Sequence, residues 1–525
     1  MRPLIEEIQT AHTPDTLAEM LRLETGLVLL RTSAFDSPSA RYSFVTSNPF
    51  LTFRSSGSRF ETTHHSSLIT HHSQYGNPWH ILDGLMARCE VLEELDLPFP
   101  LGGCFGYWGY DLRNFVEPRL PRRAANDLEL PDCHVGFYDS LVVFDHQLGK
   151  TWIVSTGLAA DGSRSESRAG ERMEFWRHAL SSNRDHPEAV SKRQTLEQLP
   201  PLPGRLEPLG KRRKESAEGG GPRGPSERER ASHWAGVRAQ ISSNFSRSDF
   251  LSAVTRAQNY IRSGDIYQVN LSHRLTAACD FSGWELFQKL AAVSPAPFSA
   301  FFDCGDFQIA SSSPEQFLRM SGSQIVTRPI KGTRPRDADP TRDAQLAYEL
   351  QTSAKELAEL VMITDLLRND LGRVCEYGSV QTPDLARLEK FAHVQHLVST
   401  VEGRLRRDVT HFAALASCFP GGSITGAPKI RAMEIIDELE PLSRGPYCGC
   451  HGYLGFNRES HLSITIRTAV CKDGFAHFNV GAGIVADSNP EAECNETLAK
   501  AAGFLAALNL EMDPCNLERL EHLKK

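Results

Sequence analysis

The nonapeptide Arg328-Pro329-Ile330-Lys331-Gly332-Thr333-Arg334-Pro335-Arg336 sets one lysine between an apolar residue and Gly-Thr, with three arginines close by. This is a poor pattern for an ordinary surface position. A neutral lysine amine is a nucleophile, and nearby arginines and a desolvated site would both disfavour its charged form. In isolation the stretch could equally be a basic loop that binds an anion by charge alone. The rest of the chain decides between the two interpretations.

Seven further blocks accompany this stretch in a fixed order across about 245–510, and eight motifs in order are far more specific than one. The seven blocks are Ser263–Ser272, Ser312–Phe317, Asp365–Arg373, His396–Ser399, Gly421–Lys429, Ile464–Thr468 and Gly481–Ser488. With them the chain resembles the component I family of chorismate-using enzymes, which includes anthranilate synthase, aminodeoxychorismate synthase and, more distantly, the isochorismate and salicylate synthases.

Composition limits the class of protein. The 525 residues are 40% hydrophobic and 23% charged, which is typical of a soluble globular chain. A net charge of −8 gives no support to nucleic-acid binding, and no apolar run approaches the roughly 20 residues that span a bilayer. The N-terminus lacks the apolar core of a signal peptide, so we expect a cytoplasmic protein. The 12 cysteines form no CxxC pairs, and Cys448 and Cys450 are predicted to be buried thiols rather than ligands.

Three regions follow from the patterning. Residues 1–182 are rich in strand-like runs, and residues 183–240 are rich in proline, glycine and charge, which predicts a flexible linker. Residues 241–515 carry the motifs and are interpreted as the chorismate-binding catalytic domain. The resemblance implies an α+β fold, a two-layered and mainly antiparallel β-sandwich with outer helices, in which the linker is an excursion.

Hydrophobic periodicity predicts several elements that hold candidate residues. Leucines at helical spacing predict one helix over about 353–372, and Ser248-Asp249 is interpreted as a helix start. Leu462–Arg467 alternates apolar and polar residues, which predicts a half-buried strand with Arg467 on its polar face. Pro490 followed by alanine-rich sequence predicts a helix to about residue 508.

One motif suggests a different activity. Gly102-Gly103-Cys104-Phe105-Gly106 fits the nucleophile loop of class I glutamine amidotransferases, and His186 follows at a suitable distance. However, His186 falls in the predicted linker, where a catalytic triad could not be held rigidly. The same stretch matches an N-terminal motif of the chorismate-using family in which the cysteine is not catalytic, so we expect Cys104 to be a core residue.

Two Glu-x-x-Glu pairs can each present two carboxylates on one helix face. Taken alone, such a pair is more often a solvated helix face. The resemblance implies that they bind Mg²⁺, a hard cation that takes oxygen ligands and keeps water, and that the ion anchors the ring carboxylate of chorismate. The four predicted metal ligands are Glu356, Glu359, Glu493 and Glu496.

The resemblance also implies groups that bind the enolpyruvyl carboxylate and the ring. Arg467 offers a planar bidentate donor and Tyr453 a phenol hydroxyl. Gly481-Ala482-Gly483 is interpreted as a backbone anion nest, although its glycines could simply form turns. The remaining predicted substrate contacts are Thr425, Lys429, Gln268 and Thr333.

Three residues are predicted to take part in the chemistry. Glu315 matches the general acid of the family, which must hold a proton near neutral pH, and burial beside other carboxylates would help it to do so. His396 matches a histidine near the ring and is assigned a supporting role, although a histidine before Leu-Val-Ser is more often a packed core residue. Lys331 is the predicted nucleophile.

Two positions indicate which of the family's reactions the chain is expected to catalyse. Isochorismate and salicylate synthases carry a water-activating lysine where this chain has Gln268, so water addition is not expected. Anthranilate synthases typically read Pro-Ile-Ala-Gly-Thr where this chain has Lys331, and the lysine, with Asn270 in agreement, is the aminodeoxychorismate synthase pattern. The alternatives are component I of anthranilate synthase and a non-catalytic chorismate-fold binding protein.

The expected partners follow from what the chain lacks. With no credible amidotransferase segment, ammonia should come from a separate glutamine amidotransferase, component II, in a heterodimer. A tryptophan pocket of the family would involve Leu29–Thr32 and Ala40–Phe44. The Arg31-Thr32 pair departs from the Glu-Ser typical of feedback-regulated anthranilate synthases, which puts inhibition by tryptophan in doubt.

Overall fold

The computed structural model describes residues 2–32, 40–65, 70–91, 97–181, 241–391 and 394–510. The described parts of 1–180 and 241–525 belong to one compact unit. The predicted linker, 183–240, and His186 within it lie outside the described residues. In the described part of the chain, no helix is both long and apolar enough to cross a membrane.

Two antiparallel sheets of 12 strands each dominate the described residues. Numbered along the chain, the first sheet contains β1 (Leu4–Ile8), β2 (Val28–Arg31), β3 (Tyr42–Thr46), β9 (Ser140–Asp145), β10 (Lys150–Ser155), β11 (Ser242–Ser243), β12 (Gln268–Ala278), β13 (Phe298–Asp303), β14 (Gln308–Ser313), β20 (Gly426–Ala427), β23 (Thr468–Lys472) and β24 (Phe475–Ile484). The second contains β4 (Leu51–Ser56), β5 (Arg59–His64), β6 (Thr70–Tyr75), β7 (Gly103–Trp108), β8 (Cys133–Tyr138), β15 (Gln316–Ser321), β16 (Gln324–Arg328), β17 (Ile330–Pro335), β18 (Gln381–Lys390), β19 (Val394–Arg404), β21 (Cys450–Gly455) and β22 (Glu459–Ile464).

Both sheets combine strands from either side of the 183–240 segment. β2 pairs with β13 in the first sheet, and β7 pairs with β21 in the second. The sheets pack face to face through aromatic contacts such as Phe44 of β3 against Tyr453 of β21, whose ring centroids are 5.2 Å apart. Cys104 of β7 is fully buried in this core, as expected, and so are Cys448 and Cys450. The predicted α+β, two-sheet architecture is confirmed.

Helices cover the sheets and carry several site residues. Phe504 stacks on Phe478 of β24 with 4.5 Å between ring centroids, which holds the last helix against the outer face of the first sheet. The described helices are α1 (Pro14–Met20), α2 (Pro78–Cys89), α3 (Arg113–Val116), α4 (Glu166–Ser181), α5 (Arg247–Arg262), α6 (Gly283–Val293), α7 (Pro340–Gln351), α8 (Ala354–Gly372), α9 (His411–Cys418), α10 (Lys429–Leu439) and α11 (Pro490–Ala507).

Local signals explain most of these boundaries. The Ser353 hydroxyl caps α8, and Asn489 with Pro490 begins α11, so both predicted helices are confirmed. The helix start was predicted two residues late, because Ser246 rather than Ser248 is the cap of α5. The predicted strand over 462–467 is wrong at its end: β22 stops at Ile464, where the chain crosses from the second sheet to the first.

Candidate active site

Lys331 lies on β17 at the centre of the predicted site. Its Nζ is 3.5 Å from Oε2 of Glu359 on α8, and its side chain is 17% exposed. A Cβ added to Gly483 of β24 would stand 3.6 Å from Lys331 Nζ and 2.8 Å from Nε2 of Gln268 on β12. Strands from both sheets and one helix therefore bring the amine, a carboxylate and a buried amide together.

The arginines that flank Lys331 in sequence do not form a cationic cluster around it. Each has a carboxylate partner of its own, so its charge is compensated locally. The expectation that these arginines act together on the amine is therefore not supported by their placement. The three pairs are Arg328 with Glu389, Arg334 with Glu356 (3.7 Å) and Arg336 with Asp343 (2.8 Å).

Glu315 has the properties that a general acid requires. The residue is 7% exposed, and burial raises the pKa of its carboxyl from 4.5 to about 7. A hydrogen bond from Ser423, the Lys331 charge and the N–H of Ile330 oppose this rise. Burial alone, rather than neighbouring carboxylates, is the cause of the shift. At neutral pH a large fraction of Glu315 keeps its proton next to Lys331.

His396 of β19 is buried and uncharged at neutral pH. Burial lowers its pKa to about 4, opposed by the Gly332 carbonyl, and the Arg467 charge adds to the lowering. Its Nδ1 lies 2.9 Å from the hydroxyl of Thr333, so this threonine contacts the imidazole across the β17–β19 pair. A neutral imidazole fits an orienting role better than that of a cation.

The two glutamate pairs approach Lys331 from two helices. Burial favours the neutral form of Glu496, but neighbouring ammonium groups outweigh it and lower the pKa of this carboxyl. The largest of these contributions comes from Lys500, 2.8 Å away, and Lys331 and Lys355 add to it. The four glutamates are Glu356 and Glu359 on α8 and Glu493 and Glu496 on α11.

These glutamates fit a hard cation by the chemistry of their donors, since all four supply carboxylate oxygens. In the described part of the chain no three acidic, histidine or cysteine side chains form a ready metal cluster. Instead Lys331 and Lys355 lie 3.5 and 4.0 Å from the two oxygens of Glu359. Glu493 accepts a 2.6 Å hydrogen bond from Ser488, and burial raises its pKa. Mg²⁺ binding stays a prediction.

The glycine motif is a strand edge and not the predicted nest. Gly481, Ala482 and Gly483 lie within β24 and pair with β12. Lys500 donates a 2.8 Å hydrogen bond to the Gly481 carbonyl. Alternate residues of an antiparallel strand direct their N–H and C=O to the same edge, so the Gly483 peptide group also points away from β12. Among the described residues β23 pairs only with Phe475–Phe478 of β24, so no strand pairs with the edge of β24 at Gly483 that faces away from β12. Ala482 is a core residue.

Tyr453 does not lie with Lys331, contrary to the prediction. It stacks on Phe105, with ring centroids 5.4 Å apart, and lines a separate cavity of about 690 Å³. This cavity includes both segments predicted for a tryptophan pocket, through Leu30, Arg31, Thr32, Ala40, Arg41, Tyr42 and Phe44.

A different tyrosine lies at the site. The Tyr447 hydroxyl is 2.8 Å from where a Cβ on Gly481 would stand, so it lies against β24 at the glycine motif. Sequence reasoning missed it, together with Lys500. Two signals were present: Tyr447 sits between Gly445 and Gly449, and Lys500 follows Glu496 at helical i,i+4 spacing.

Two predicted substrate donors have structural partners instead. The Lys429 ammonium forms a buried 2.6 Å ion pair with Asp370 and donates to the Cys418 carbonyl at 3.0 Å. The Thr425 hydroxyl donates to the Gly421 carbonyl at 3.0 Å. Both side chains therefore fix the turn that precedes α10 and are not free for an anion.

Arg467 remains available to an anion, although it is not on a strand face. It lies in the crossing between β22 and β23 with φ of 49°, and its carbonyl accepts the N–H of Ser312 at 3.0 Å. Although the residue as a whole is exposed, burial lowers the pKa of the Arg467 guanidinium, which forms no ion pair with any described residue and whose charge acts on His396. A free guanidinium beside the site suits a substrate carboxylate.

Comparison with known proteins agrees with this geometry. Residues 42–506 match the family model described as chorismate binding enzyme. The chain is 36% identical to anthranilate synthase component 1 of Acetivibrio thermocellus, over 95% of this chain and 93% of the relative. It is 37% identical to aminodeoxychorismate synthase component 1 of Escherichia coli K12, over 92% and 93%. The crystal structure of anthranilate synthase component I from Streptococcus pneumoniae TIGR4 matches with a TM-score of 0.66 and 27% identity, covering 89% of this chain and 93% of that one.

Proposed function

Because the chain belongs to the chorismate-binding enzyme family, we propose that it aminates chorismate at C4, the aminodeoxychorismate synthase reaction of a component I. In the first step the Lys331 amine adds at ring C2, the double bond shifts, and the C4 hydroxyl leaves as water with a proton from Glu315. In the second step ammonia adds at C4, the double bond shifts back, and the Lys331 amine leaves C2. The product is 4-amino-4-deoxychorismate, a precursor of 4-aminobenzoate and folate.

The position of Lys331 carries this proposal. Its amine lies among the Gln268 amide, the Gly483 backbone and Glu359. The Lys331 charge also acts on the proposed proton donor, Glu315, by lowering its pKa. A covalent intermediate divides an awkward 1,4-replacement into two allylic displacements. Direct amination at C2 requires no lysine at this point, so the presence of one favours C4 chemistry.

The remaining groups bind and orient the dianionic substrate. Arg467, the Tyr447 hydroxyl and the open edge at Gly483 can hold the enolpyruvyl carboxylate. His396 and Thr333 form a neutral hydrogen-bonded pair beside Lys331. The four glutamates on α8 and α11 would hold Mg²⁺, which when bound neutralises the ring carboxylate and polarises the ring.

Anthranilate synthase is the second candidate, since that name belongs to relatives of similar identity. This reaction would give a different product, and its rate would not depend on the Lys331 amine. A non-catalytic role is disfavoured because a binding protein needs no buried proton donor, and Glu315 has a pKa of about 7.

Ammonia is proposed to come from a second subunit. The relatives are named component 1, a term that implies a partner component. We infer a glutamine amidotransferase that forms a heterodimer with this chain, for which free ammonium at high concentration should substitute. Tryptophan is a candidate ligand of the 690 Å³ cavity, whose rings Tyr42, Phe44 and Tyr453 can contact an indole.

Product analysis tests the proposal. The purified chain is incubated with chorismate, Mg²⁺ and excess ammonium, with and without an added aminodeoxychorismate lyase. We expect 4-aminobenzoate only when the lyase is present. Fluorescent anthranilate formed without the lyase would instead assign the second candidate.

A lysine variant tests the covalent step. Lys331→Ala should abolish C4 amination, whereas Lys150→Ala, a surface lysine paired with Glu7, should not change it. Without ammonia, intact-protein mass spectrometry of the wild-type chain should detect an adduct of one chorismate less one water. Full turnover by Lys331→Ala would refute the covalent route.

A further inference from the structure

A buried ion pair lies directly behind the candidate site. Arg444 and Glu440 have side chains that are 2% and 4% exposed. The Arg444 guanidinium donates Nε to Oε2 at 2.9 Å and Nη2 to Oε1 at 2.7 Å, so the contact is bidentate. Glu440 follows the last residue of α10, and Arg444 lies four residues further along. Such a geometry holds both side chains in one orientation.

Among the described residues, the other side-chain hydrogen bonds of the pair go to segments that border the site. Arg444 Nη1 donates to the Ile424 carbonyl at 3.1 Å, and Nη2 donates to the Asn270 carbonyl at 2.7 Å. Oε1 of Glu440 accepts the N–H of Ser272 at 2.8 Å and its hydroxyl at 3.0 Å. The pair thus connects β12 with the turn at Gly422–Ile424.

Each connected segment supplies one group to the site. The turn contains Ser423, which hydrogen-bonds the Glu315 carboxyl. β12 begins at Gln268. The Arg444 carbonyl accepts the N–H of Tyr447 at 3.1 Å, and the guanidinium lies 5.8 Å from the Tyr447 ring centroid.

Gln268 depends on this support more than the other two. It is fully buried, and neither polar atom of its amide has a hydrogen-bond partner among the described residues. No hydrogen bond from a described residue therefore orients the amide beside Lys331, and its position depends on the backbone of β12. That backbone is held two and four residues away, at Asn270 and Ser272, by the ion pair.

We propose that the Arg444–Glu440 pair is a positioning element that sets Gln268, Ser423 and Tyr447 relative to one another. The proposal rests on the function assigned to this site, but it does not depend on which carbon of chorismate is aminated. A small displacement of these groups should reduce turnover without removing any group that touches the substrate.

The chain offers a matched control on the same helix. Asp437 of α10 pairs with Arg113 at 2.9 Å, and their side chains are 1% and 3% exposed. The other hydrogen bonds of this pair go to the Met433 carbonyl and to the N–H of Arg123. Neither segment contributes a site residue. This pair therefore matches the first in burial and charge, and like that of Arg444 its guanidinium lies over the Tyr110 ring, but its side chains share one hydrogen bond and its other hydrogen bonds go elsewhere.

The experiment compares Glu440→Gln with Asp437→Asn in the full chain. Both should lower the melting temperature, because each leaves a buried arginine without its anion. Only Glu440→Gln should change the kinetics of ammonium-dependent chorismate consumption. We expect kcat/KM to fall by about 10–100-fold, with changes in both kcat and the KM for chorismate.

Two further variants keep the test decisive. Arg444→Lys retains the charge but lacks the fork that reaches both carbonyls, so it should lose kcat/KM as Glu440→Gln does. Ser272→Ala deletes one hydroxyl bond to Glu440 and should lose less, which provides a measurement if the pair variants do not fold. Wild-type kcat/KM in any folded variant of the pair, or an equal loss in Asp437→Asn, would overturn the proposal. Consumption of chorismate is the readout, so an error in the assigned product would not affect this result.

Discussion

Replacing Glu315 by glutamine should change activity and stability in opposite directions. At its pKa of about 7, roughly half of the Glu315 carboxyls are protonated at pH 7, compared with about one in 300 at the ordinary value of 4.5. Glutamine keeps the shape but cannot donate a proton to the leaving hydroxyl. We expect Glu315→Gln to lose about 10²–10⁴-fold in kcat.

The stability effect follows from proton linkage. Because the folded pKa is raised, the folded state binds the proton more tightly than the unfolded state between pH 4.5 and about 7. The contribution of Glu315 to stability is therefore fully present below pH 4.5 and lost as pH rises to 7. The loss amounts to about 3 kcal/mol at about 1.4 kcal/mol per pH unit. Glu315→Gln should escape this loss, so it gains stability relative to the wild type as pH rises.

Two measurements check this reasoning. Urea unfolding at pH 5 and pH 8 gives the change in relative stability. Initial rates at a constant concentration of free ammonia give the pH profile, in which the wild type should lose activity above about pH 7 and Glu315→Gln should lack that limb. Asp132→Asn is the control, since burial raises the pKa of Asp132 to about 6 away from the site, so its activity should not change. A Glu315→Gln enzyme with the wild-type pH limb, or with no pH-dependent gain in stability, would refute the assignment.

Gly483→Ala should fold but lose most activity, because the new methyl would stand 2.8 Å from a buried amide nitrogen and 3.6 Å from the lysine amine; circular dichroism and initial rates check both parts. Lys429→Met should cost about 3–5 kcal/mol of unfolding free energy in urea, because it leaves a buried carboxylate unpaired, while the KM for chorismate stays unchanged. Tyr447→Phe should raise the KM for chorismate by about tenfold, as expected for one hydrogen bond to a charged group, whereas Tyr453→Phe should leave that KM unaltered.

Sequence alone predicted those features that depend on neighbours along the chain. The helices at Ala354–Gly372 and Pro490–Ala507 follow from helical spacing and from caps within a few residues. The same local spacing puts Glu356 and Glu359 on one helix and Glu493 and Glu496 on another. The ordered motifs identified the family, and the two-sheet architecture followed from the resemblance.

The failures of sequence reasoning have a common cause. Tyr453 and Lys429 each carry a suitable donor, but the first faces a second cavity and the second is committed to Asp370, 59 residues away. Nothing within a short window of sequence distinguishes a donor with a distant partner from one that is free. Arg467 is the opposite case. The strand predicted to carry it ends three residues earlier, but its guanidinium forms no ion pair with a described residue and can still bind an anion.

The sequence by itself therefore determined which groups this chain possesses and on which helix or strand most of them lie. Tertiary structure decided their protonation and their neighbours. The pKa of Glu315 depends on burial between both sheets, and the surroundings of Lys331 depend on β12, β24 and α8 meeting at one point. Desolvation and close contact arise only when segments far apart in the chain pack together, so no local pattern encodes them.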